Sequence, residues 1–321
     1  MPRTRSTFLP LLLACLCALL RPAPVAAQEV HVYEGGIDLV SVTVTVRDAR
    51  GNLVSNLGRD DFVIYEDGKP LKARNVQIFA PAAQEGNDQS LGLNLGMLLD
   101  TSESMKAQIK LSQQSAVRFL ESIPRARDLL LIFFDQDIRL SRYNDENQQG
   151  LFERILGMKG SGNTALYDAI SVYLSRIADS TGRKVLVIFT DGDDTTSATS
   201  LGETMALVRS SGVTVYPIAF TGNAGLGTNR NVSARAILNT LAESSGGQVY
   251  SPIAYRDLST IYQRILDELS NQYVLGFVSD NLVLDGRYHR LKVEVKPKGL
   301  RVRHRQGYYA VPGGKLRLKE R

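Results

Sequence analysis

Four short runs of apolar residues, separated by segments with helical periodicity, constrain the fold of this chain most strongly. Each run is continuously apolar, which is typical of a strand covered on both faces of a sheet. This alternation predicts an α/β fold with a doubly wound, mainly parallel sheet. A hairpin pattern at Phe133–Leu140 adds one antiparallel edge strand. The four runs are Leu93–Leu99, Leu129–Phe134, Val185–Phe189 and Val213–Phe220.

The two ends of the chain alternate apolar and polar residues with a period of two, which is typical of strands with one buried face. These β-rich segments cover residues 28–85 and 271–312. A lone hairpin is marginally stable in water, so strands at each end need partners. We therefore predict that the two segments pack as one β-domain, that residues 91–270 form the α/β domain inserted between them, and that residues 313–321 are a basic tail.

Residues 1–27 predict a signal peptide. Arg3 and Arg5 form a positive start, Phe8–Leu20 is an apolar stretch of 13 residues, and Val25–Ala27 offers small residues for cleavage. A membrane anchor is the alternative, but a bilayer span needs about 20 apolar residues. We therefore expect a secreted or periplasmic protein with no transmembrane segment after cleavage.

Cysteine and charge content exclude several classes of function. Cys15 and Cys17 both lie in the predicted signal peptide, so the mature chain has no disulfide, catalytic thiol or Cys-bound zinc. Residues 281–321 contain 12 Lys or Arg and 3 Asp or Glu, whereas the rest of the mature chain is acidic. This distribution argues against a nucleic-acid-binding protein. The basic C-terminus is expected to be a solvated strand face, with contact to an anionic envelope surface as the alternative.

Polar side chains follow two of the predicted buried strands and precede one predicted helix. Ligands of open α/β sheets bind at the carboxyl ends of strands, so we expect these side chains to converge there. All their donors are oxygen atoms, which suits a hard divalent cation, Mg²⁺ foremost, or Mn²⁺ or Ca²⁺, and not zinc or copper. The five residues are Asp100, Ser102, Ser104, Thr164 and Asp191.

Ordinary structural roles are the alternative for several of these polar residues. Ser and Asp are favoured at helix N-caps, so the Asp-x-Ser-x-Ser turn by itself fits a cap as well as a metal site. Asp193 and Asp194 are expected to be loop carboxylates or caps rather than further ligands. Asp168 is expected to be structural, and Asp135 to belong to the hairpin.

The runs Asp100–Ser104, Gly162–Ala169 and Phe189–Gly192 together resemble the von Willebrand factor A domain with its metal-ion-dependent adhesion site. The resemblance covers roughly residues 91–270. The flanks resemble a bacterial exported subgroup of such proteins, whose function is undefined.

This resemblance implies a role for each of the five residues. Ser102, Ser104 and Thr164 would contribute hydroxyl ligands, and Asp100 and Asp191 would bind the ion directly or through water. An open coordination position would accept a Glu or Asp of a partner protein.

The rim of this site is predicted to include Glu103 and Asp193. Glu103 departs from the family pattern, in which Gly is common. Its added carboxylate would weaken the binding of an acidic ligand.

The leading functional hypothesis is therefore a non-enzymatic adhesion module that grips an acidic group of a partner protein through a divalent cation. One alternative is a metal-dependent hydrolase, with Asp100 as nucleophile or Asp191 activating water. The sequence has no phosphate-binding loop, no G-x-S-x-G elbow and no His near the predicted site, which disfavours hydrolysis. A scaffold in which the metal only stabilises the fold is a further alternative.

Overall fold

The structure, a computed structural model, describes residues 40–72, 76–79, 93–123, 128–144, 150–178, 180, 182–220, 229–252, 257–279 and 286–310. The predicted signal peptide, both cysteines and the basic tail lie outside the described residues, as do residues 80–92 before the α/β sheet. None of the helices in the described ranges is long and apolar enough to cross a membrane.

The described strands are β1 (Val40–Arg47), β2 (Phe62–Glu66), β3 (Lys69–Pro70), β4 (Val76–Phe79), β5 (Leu93–Asp100), β6 (Asp128–Phe134), β7 (Ile138–Tyr143), β8 (Arg183–Thr190), β9 (Thr214–Ala219), β10 (Tyr273–Phe277), β11 (Tyr288–Val295), β12 (Arg301–His304) and β13 (Gly307–Tyr309). The helices are α1 (Ile109–Ser122), α2 (Leu151–Leu156), α3 (Leu166–Ile177), α4 (Leu201–Ser211), α5 (Asn229–Ser245) and α6 (Asp257–Asn271). Short 3₁₀ helices cover Arg59–Asp61 and Glu103–Met105.

The α/β domain is built on a five-stranded sheet with the order β7-β6-β5-β8-β9. β6, β5, β8 and β9 are parallel, and β7 pairs antiparallel with β6 at one edge. Apolar side chains on both faces of the sheet are buried under the helices, in two separate clusters. The predicted doubly wound, mainly parallel sheet and its antiparallel edge strand are therefore confirmed.

Helix α3 packs directly on the central strand because that strand has a glycine at the contact. A Cβ atom at Gly96 would lie 2.1 Å from the ring of Tyr173. The Tyr173 hydroxyl crosses the strand and donates to the carbonyl of Val185 on β8, at 3.0 Å. This contact places the N-terminus of α3, and the loop before it, at the carboxyl edge of the sheet.

The sequence analysis did not predict two of the helices, α2 and α4. α4 nevertheless has a sequence signal for its start, because Ser200 and Glu203 form a capping box. The Ser200 hydroxyl accepts from the Glu203 amide at 3.2 Å, and the Glu203 carboxylate accepts from the Ser200 amide at 2.9 Å. α2 has six residues, too few for a clear period of 3.6.

The β-domain combines strands from both ends of the chain, as predicted. One four-stranded sheet has the order β12-β1-β10-β4 and the other the order β13-β11-β2-β3. β1 pairs antiparallel with β10, and β2 pairs antiparallel with β11. Their inward side chains share one core, which includes Val44, Ile64, Leu275 and Val293. The α/β domain is thus inserted between the two halves of the β-domain.

A buried carboxylate connects the two domains. Glu268, near the end of α6, is fully buried. It accepts from Arg47 of β1 at 3.0 Å and from Arg303 of β12, and also from Tyr216 of β9 at 2.6 Å. Burial raises the pKa of Tyr216 well above its ordinary value, so its phenol stays protonated and donates. Gln272 extends the network to Thr45, at 3.2 Å.

Replacing Glu268 with Gln is expected to lower the free energy of unfolding by about 3–5 kcal/mol, because it leaves two partly buried arginines without a counter-charge. Urea unfolding followed by circular dichroism measures this difference. Asp267→Asn is the matched control, since Asp267 is exposed one residue away and should change stability by less than about 0.5 kcal/mol. Equal effects of the two substitutions would contradict a linking role for Glu268.

Candidate metal centre

The turn after β5 holds a buried carboxylate surrounded by hydroxyl groups. Asp100 is fully buried, and its Oδ1 accepts from the amide and the hydroxyl of Ser102 at 2.9 and 2.6 Å. The Ser102 and Ser104 hydroxyls lie 3.0 Å apart. On the other side, Oδ2 accepts from the hydroxyl of Thr190 at 2.6 Å. The turn thus brings Asp100, Ser102 and Ser104 together, as expected.

The hydroxyls of this turn do not cap a helix, which was the alternative to a metal site. Ser102 precedes the 3₁₀ helix Glu103–Met105, but its side chain makes no capping hydrogen bond. Its hydroxyl instead donates to Asp100, and helix α1 begins several residues later without a side-chain cap. These hydroxyls are therefore available to a ligand at the Asp100 carboxylate.

The turn after β8 brings a second carboxylate to the same edge of the sheet. Asp191 is half-buried, and its Oδ1 accepts from the Asp193 amide at 3.2 Å. Gly192 has a φ of +89°, and a Cβ there would lie 2.8 Å from Leu238. The turn therefore needs glycine both for its backbone conformation and for close packing against α5.

The loop containing Thr164 is hydrogen-bonded to both of these turns. The Ser161 amide donates to the Thr101 carbonyl at 2.8 Å, and the Glu103 amide donates to the Gly162 carbonyl at 3.0 Å. The Thr164 amide donates to the Thr195 hydroxyl at 2.9 Å, and the Thr164 carbonyl accepts from the Thr195 amide at 2.8 Å. Thr164 is buried between the two turns. All three predicted loops therefore meet at one edge.

The remaining acidic residues of these loops have structural roles or lie at the rim. The Asp168 carboxylate accepts from the amides of Ala198 and Thr199, both at 2.8 Å, as expected for a structural residue. Asp194 accepts from the Ser197 hydroxyl at 2.6 Å. At the rim, Glu103 is exposed and pairs with Lys106 at 3.0 Å.

The hairpin carboxylate of Asp135 also supports the site. It pairs with Arg139 at 2.7 Å and accepts from the Thr101 hydroxyl at 3.1 Å. Burial raises the pKa of Asp135, but the hydrogen bonds from Arg139 and from the Asp137 amide outweigh this effect, so the pKa lies below its ordinary value. Asp135 thus stays ionised and holds the side chain of Thr101, the residue between Asp100 and Ser102, in place.

Sequence reasoning missed two residues of this site, Thr190 and Thr101. Thr190 immediately precedes Asp191, but only the pairing of β5 with β8 shows that its hydroxyl reaches Asp100. Thr101 lies inside the Asp-x-Ser-x-Ser turn, where its hydroxyl lies within hydrogen-bonding distance of the Phe134 carbonyl and the Asp135 carboxylate.

The electrostatics of this edge disfavour an uncompensated negative charge on Asp100. Burial raises the pKa of Asp100 to about 7; hydrogen bonds from Ser102 and Thr190 oppose the rise, and the charge of Asp191 adds to it. No three Asp, Glu, His or Cys side chains gather into a metal-binding cluster anywhere in the described ranges. The donor set is therefore two carboxylates with neutral hydroxyls, and its all-oxygen chemistry fits a hard divalent cation.

Comparison with known families identifies the family of the α/β domain. A family model for the von Willebrand factor type A domain matches residues 94–264, just over half of the 321 residues. The chain belongs to the von Willebrand factor type A domain family. Such domains commonly mediate adhesion or protein–protein interaction, and they often bind a divalent cation at a metal-ion-dependent adhesion site. The predicted resemblance to von Willebrand factor A domains is thus confirmed.

One curated relative is an uncharacterized protein of Synechocystis sp., 26% identical over 132 residues. The match covers 40% of this chain but only 31% of that protein. Among solved structures, a von Willebrand factor type A protein from Catenulispora acidiphila has 10% identity and a TM-score of 0.47, over 83% of this chain and 71% of the other. A mutant of the PilB minor pilin from Streptococcus sanguinis has 13% identity and a TM-score of 0.46, over 58% and 64%. The von Willebrand factor A assignment rests on the family match.

Replacing Asp100 with Asn is expected to stabilise the metal-free protein near pH 8 by about 1–3 kcal/mol, because the amide brings no charge into the buried site. A pKa raised to about 7 means that the native protein loses stability as the pH rises from the ordinary carboxyl value of 3.8 toward 7. The advantage of the variant should therefore vanish near pH 4. Urea unfolding in EDTA at several pH values measures it.

Asp137→Asn, in the exposed part of the neighbouring hairpin, serves as the control for removing one carboxylate. A lower stability of Asp100→Asn at every pH would mean that the hydrogen bonds from Ser102 and Thr190 outweigh the cost of burying the charge.

Proposed function

We propose that this protein binds a partner protein through one divalent cation, Mg²⁺ foremost or else Mn²⁺ or Ca²⁺. Asp100, Ser102, Ser104, Thr164 and Asp191 would hold the ion. The observation that carries this proposal is the fully buried Asp100 carboxylate, toward which the Ser102 hydroxyl is turned instead of capping a helix. The bound ion would supply a Lewis-acidic position for a carboxylate of the partner.

The residues of the site would bind the ion while leaving one coordination position open for the partner. The two carboxylates neutralise the ion, while the hydroxyls add neutral donors that leave it open to a further acidic ligand. Thr190 and the amide of Ser102 hold the Asp100 carboxylate in one orientation. Lys106 partly neutralises Glu103, so the rim repels an acidic ligand less than the sequence alone suggests.

A cationic hollow beside the site supports an acidic partner. It has a volume of about 470 Å³ and shares Thr101 and Ser161 with the loops of the candidate metal centre. Arg154 and Lys159 line it, both exposed and without an ion pair to another described residue. On α2, Phe152 lies close in sequence and is 43% exposed. Exposed aromatic and Arg side chains around a central ligand are typical of protein interfaces.

We further propose that the protein is exported and acts in the periplasm or outside the cell. The sequence of residues 1–27 supports this, because it has the charge and apolar pattern of a signal peptide. We infer a non-catalytic role because both histidines in the described part of the chain, His289 and His304, lie on strands of the β-domain, where neither could serve the site as a proton shuttle.

Calorimetric titration of residues 28–321 with Mg²⁺ and Mn²⁺ is expected to show saturable binding at one site. Asp100→Asn should weaken this binding by more than about 100-fold, because it removes a charged ligand. Asp137→Asn should leave it unchanged. An absence of saturable binding by the folded wild-type protein, with acetate added to stand in for the partner's carboxylate, would contradict the proposed metal site.

Immobilised protein is expected to retain its partner in Mg²⁺ and to release it on chelation, because the partner's carboxylate would complete the coordination of the ion. Asp100→Asn should retain none, and Lys159→Glu should retain less while its metal titration stays normal. Mass spectrometry of the eluted proteins measures retention. If retention survives chelation and the circular dichroism spectrum is unchanged, the metal is only structural; metal-dependent turnover of ester or phosphate substrates would favour a hydrolase.

A further inference from the structure

A second groove lies at the edge of the α/β sheet opposite the candidate metal centre. α4 runs from the carboxyl edge of β8 back to the start of β9, so Arg209, near its end, lies at the amino edge. There it faces the outer surface of the β-domain sheet that contains β11 and β2, across a space of about 470 Å³. We call this space the interdomain groove; its polar and aromatic lining is Tyr65, Arg209, Tyr288, Arg290, Lys292 and Gln306, and Gly68 and Leu291 complete it.

Strand alternation places the groove residues on one face. Tyr288, Arg290 and Lys292 alternate along β11 with His289 and Leu291, which are buried toward the core. Three of the lining residues are cationic and none is acidic. The two basic residues from β11 belong to the strongly basic C-terminal segment of the sequence. The groove therefore has a concentrated positive charge.

The guanidinium of Arg209 is fixed in place but has an unused donor. Its central carbon lies 5.7 Å from the centre of the Tyr288 ring, and the Tyr288 and Tyr309 rings pack edge to face with their centroids 5.1 Å apart. Gly307 leaves room for Tyr288, since a Cβ there would lie 2.6 Å from its hydroxyl. The Arg209 Nε is buried and has no hydrogen-bond partner among the described residues. The cation–π contact with Tyr288, rather than a hydrogen bond through Nε, therefore holds this guanidinium beside the groove.

Lys292 is held in a similar way on the other side of the groove. Its ammonium lies 5.9 Å from the centre of the Tyr65 ring and pairs with Glu294 at 2.6 Å. Glu294 does not line the groove, and Arg290 is exposed without such a pair among the described residues. Arg209 and Arg290 are thus the cations best placed to recognise an anion.

The shape and chemistry of the groove indicate the class of ligand. Its volume suits an organic molecule rather than a single inorganic ion. The large, strongly exposed apolar side chains of the described residues are Leu140, Phe152, Leu156 and Val232, and none of them lines the groove, which disfavours a lipid. The groove lies on a sheet face, whereas extended peptides add to a sheet edge. Aromatic rings beside guanidinium groups suit a sugar ring that carries a carboxylate.

We propose that the interdomain groove binds an acidic saccharide of the uronic-acid type. Its carboxylates pair with Arg209 and Arg290, and the apolar faces of its rings lie against Tyr65 and Tyr288. This site is independent of the divalent cation, because the groove and the metal loops lie at opposite edges of the sheet.

Calorimetry with a galacturonic acid tetramer, in EDTA, tests the proposal on the purified protein. The wild type is expected to bind saturably, and Arg209→Gln and Arg290→Gln should each weaken binding by about tenfold or more. Arg301→Gln is the matched control, because Arg301 is an exposed arginine on β12 outside the groove. It removes the same charge and should change the affinity by less than about twofold. Thermal unfolding of each variant checks that the fold is intact.

Four comparisons would overturn the proposal. The proposal fails if the folded wild type shows no saturable binding, or if a neutral galactose tetramer binds with the same affinity as the galacturonic acid tetramer. Inorganic phosphate that binds as tightly as the tetramer would reduce the groove to a site for a free oxyanion. A glutamate-rich peptide that binds more tightly through the same two arginines would make the ligand an acidic peptide. An equal loss in Arg301→Gln would reduce the binding to a diffuse charge effect.

Discussion

The buried carboxylate of Glu268 is the interaction on which the arrangement of the two domains depends. It accepts hydrogen bonds from arginines that precede and follow the α/β domain in sequence, Arg47 and Arg303, and from Tyr216 within that domain. A carboxylate in a fully buried position is tolerated only when it is paired and fully hydrogen-bonded. The β-domain therefore supplies the positive charges that compensate the Glu268 carboxylate on the last helix of the α/β domain.

The buried carboxylate at the opposite edge of the sheet, Asp100, has different partners. Asp100 is as deeply buried as Glu268, but its hydrogen bonds come from neutral groups, and the charge of another carboxylate, Asp191, adds to the rise in its pKa. One buried acid is thus compensated by the protein's own cations, and under the proposed function the other would be compensated by a cation from solution. This contrast supports the view that Glu268 is structural and that the loops around Asp100 are built for binding.

The sequence predicted the parts of the fold that depend on local periodicity. The buried strands, the edge hairpin and the shared β-domain are confirmed, and the five expected ligand residues lie on loops that meet, although their role as ligands stays a prediction. Thr190, Glu268 and Arg209 were not predicted. Thr190 matters only because β8 pairs with β5 in one register, and Glu268 and Arg209 only because distant segments fold against them. Such contacts depend on tertiary packing, which no spacing within one helix or strand reveals.

The insertion of the α/β domain has a mechanical consequence. Its chain leaves the β-domain after β4 and returns to it at β10, where Arg183, at the start of β8, donates to Gln272 at 2.9 Å. A domain on a flexible linker would rotate under tension, whereas this one is held by the direct continuation of α6 into β10 and by the ion pairs of Glu268. A pull on the loops at the far edge would therefore run along the parallel strands to this junction. The α/β domain would transmit an applied force to the β-domain instead of rotating about a hinge.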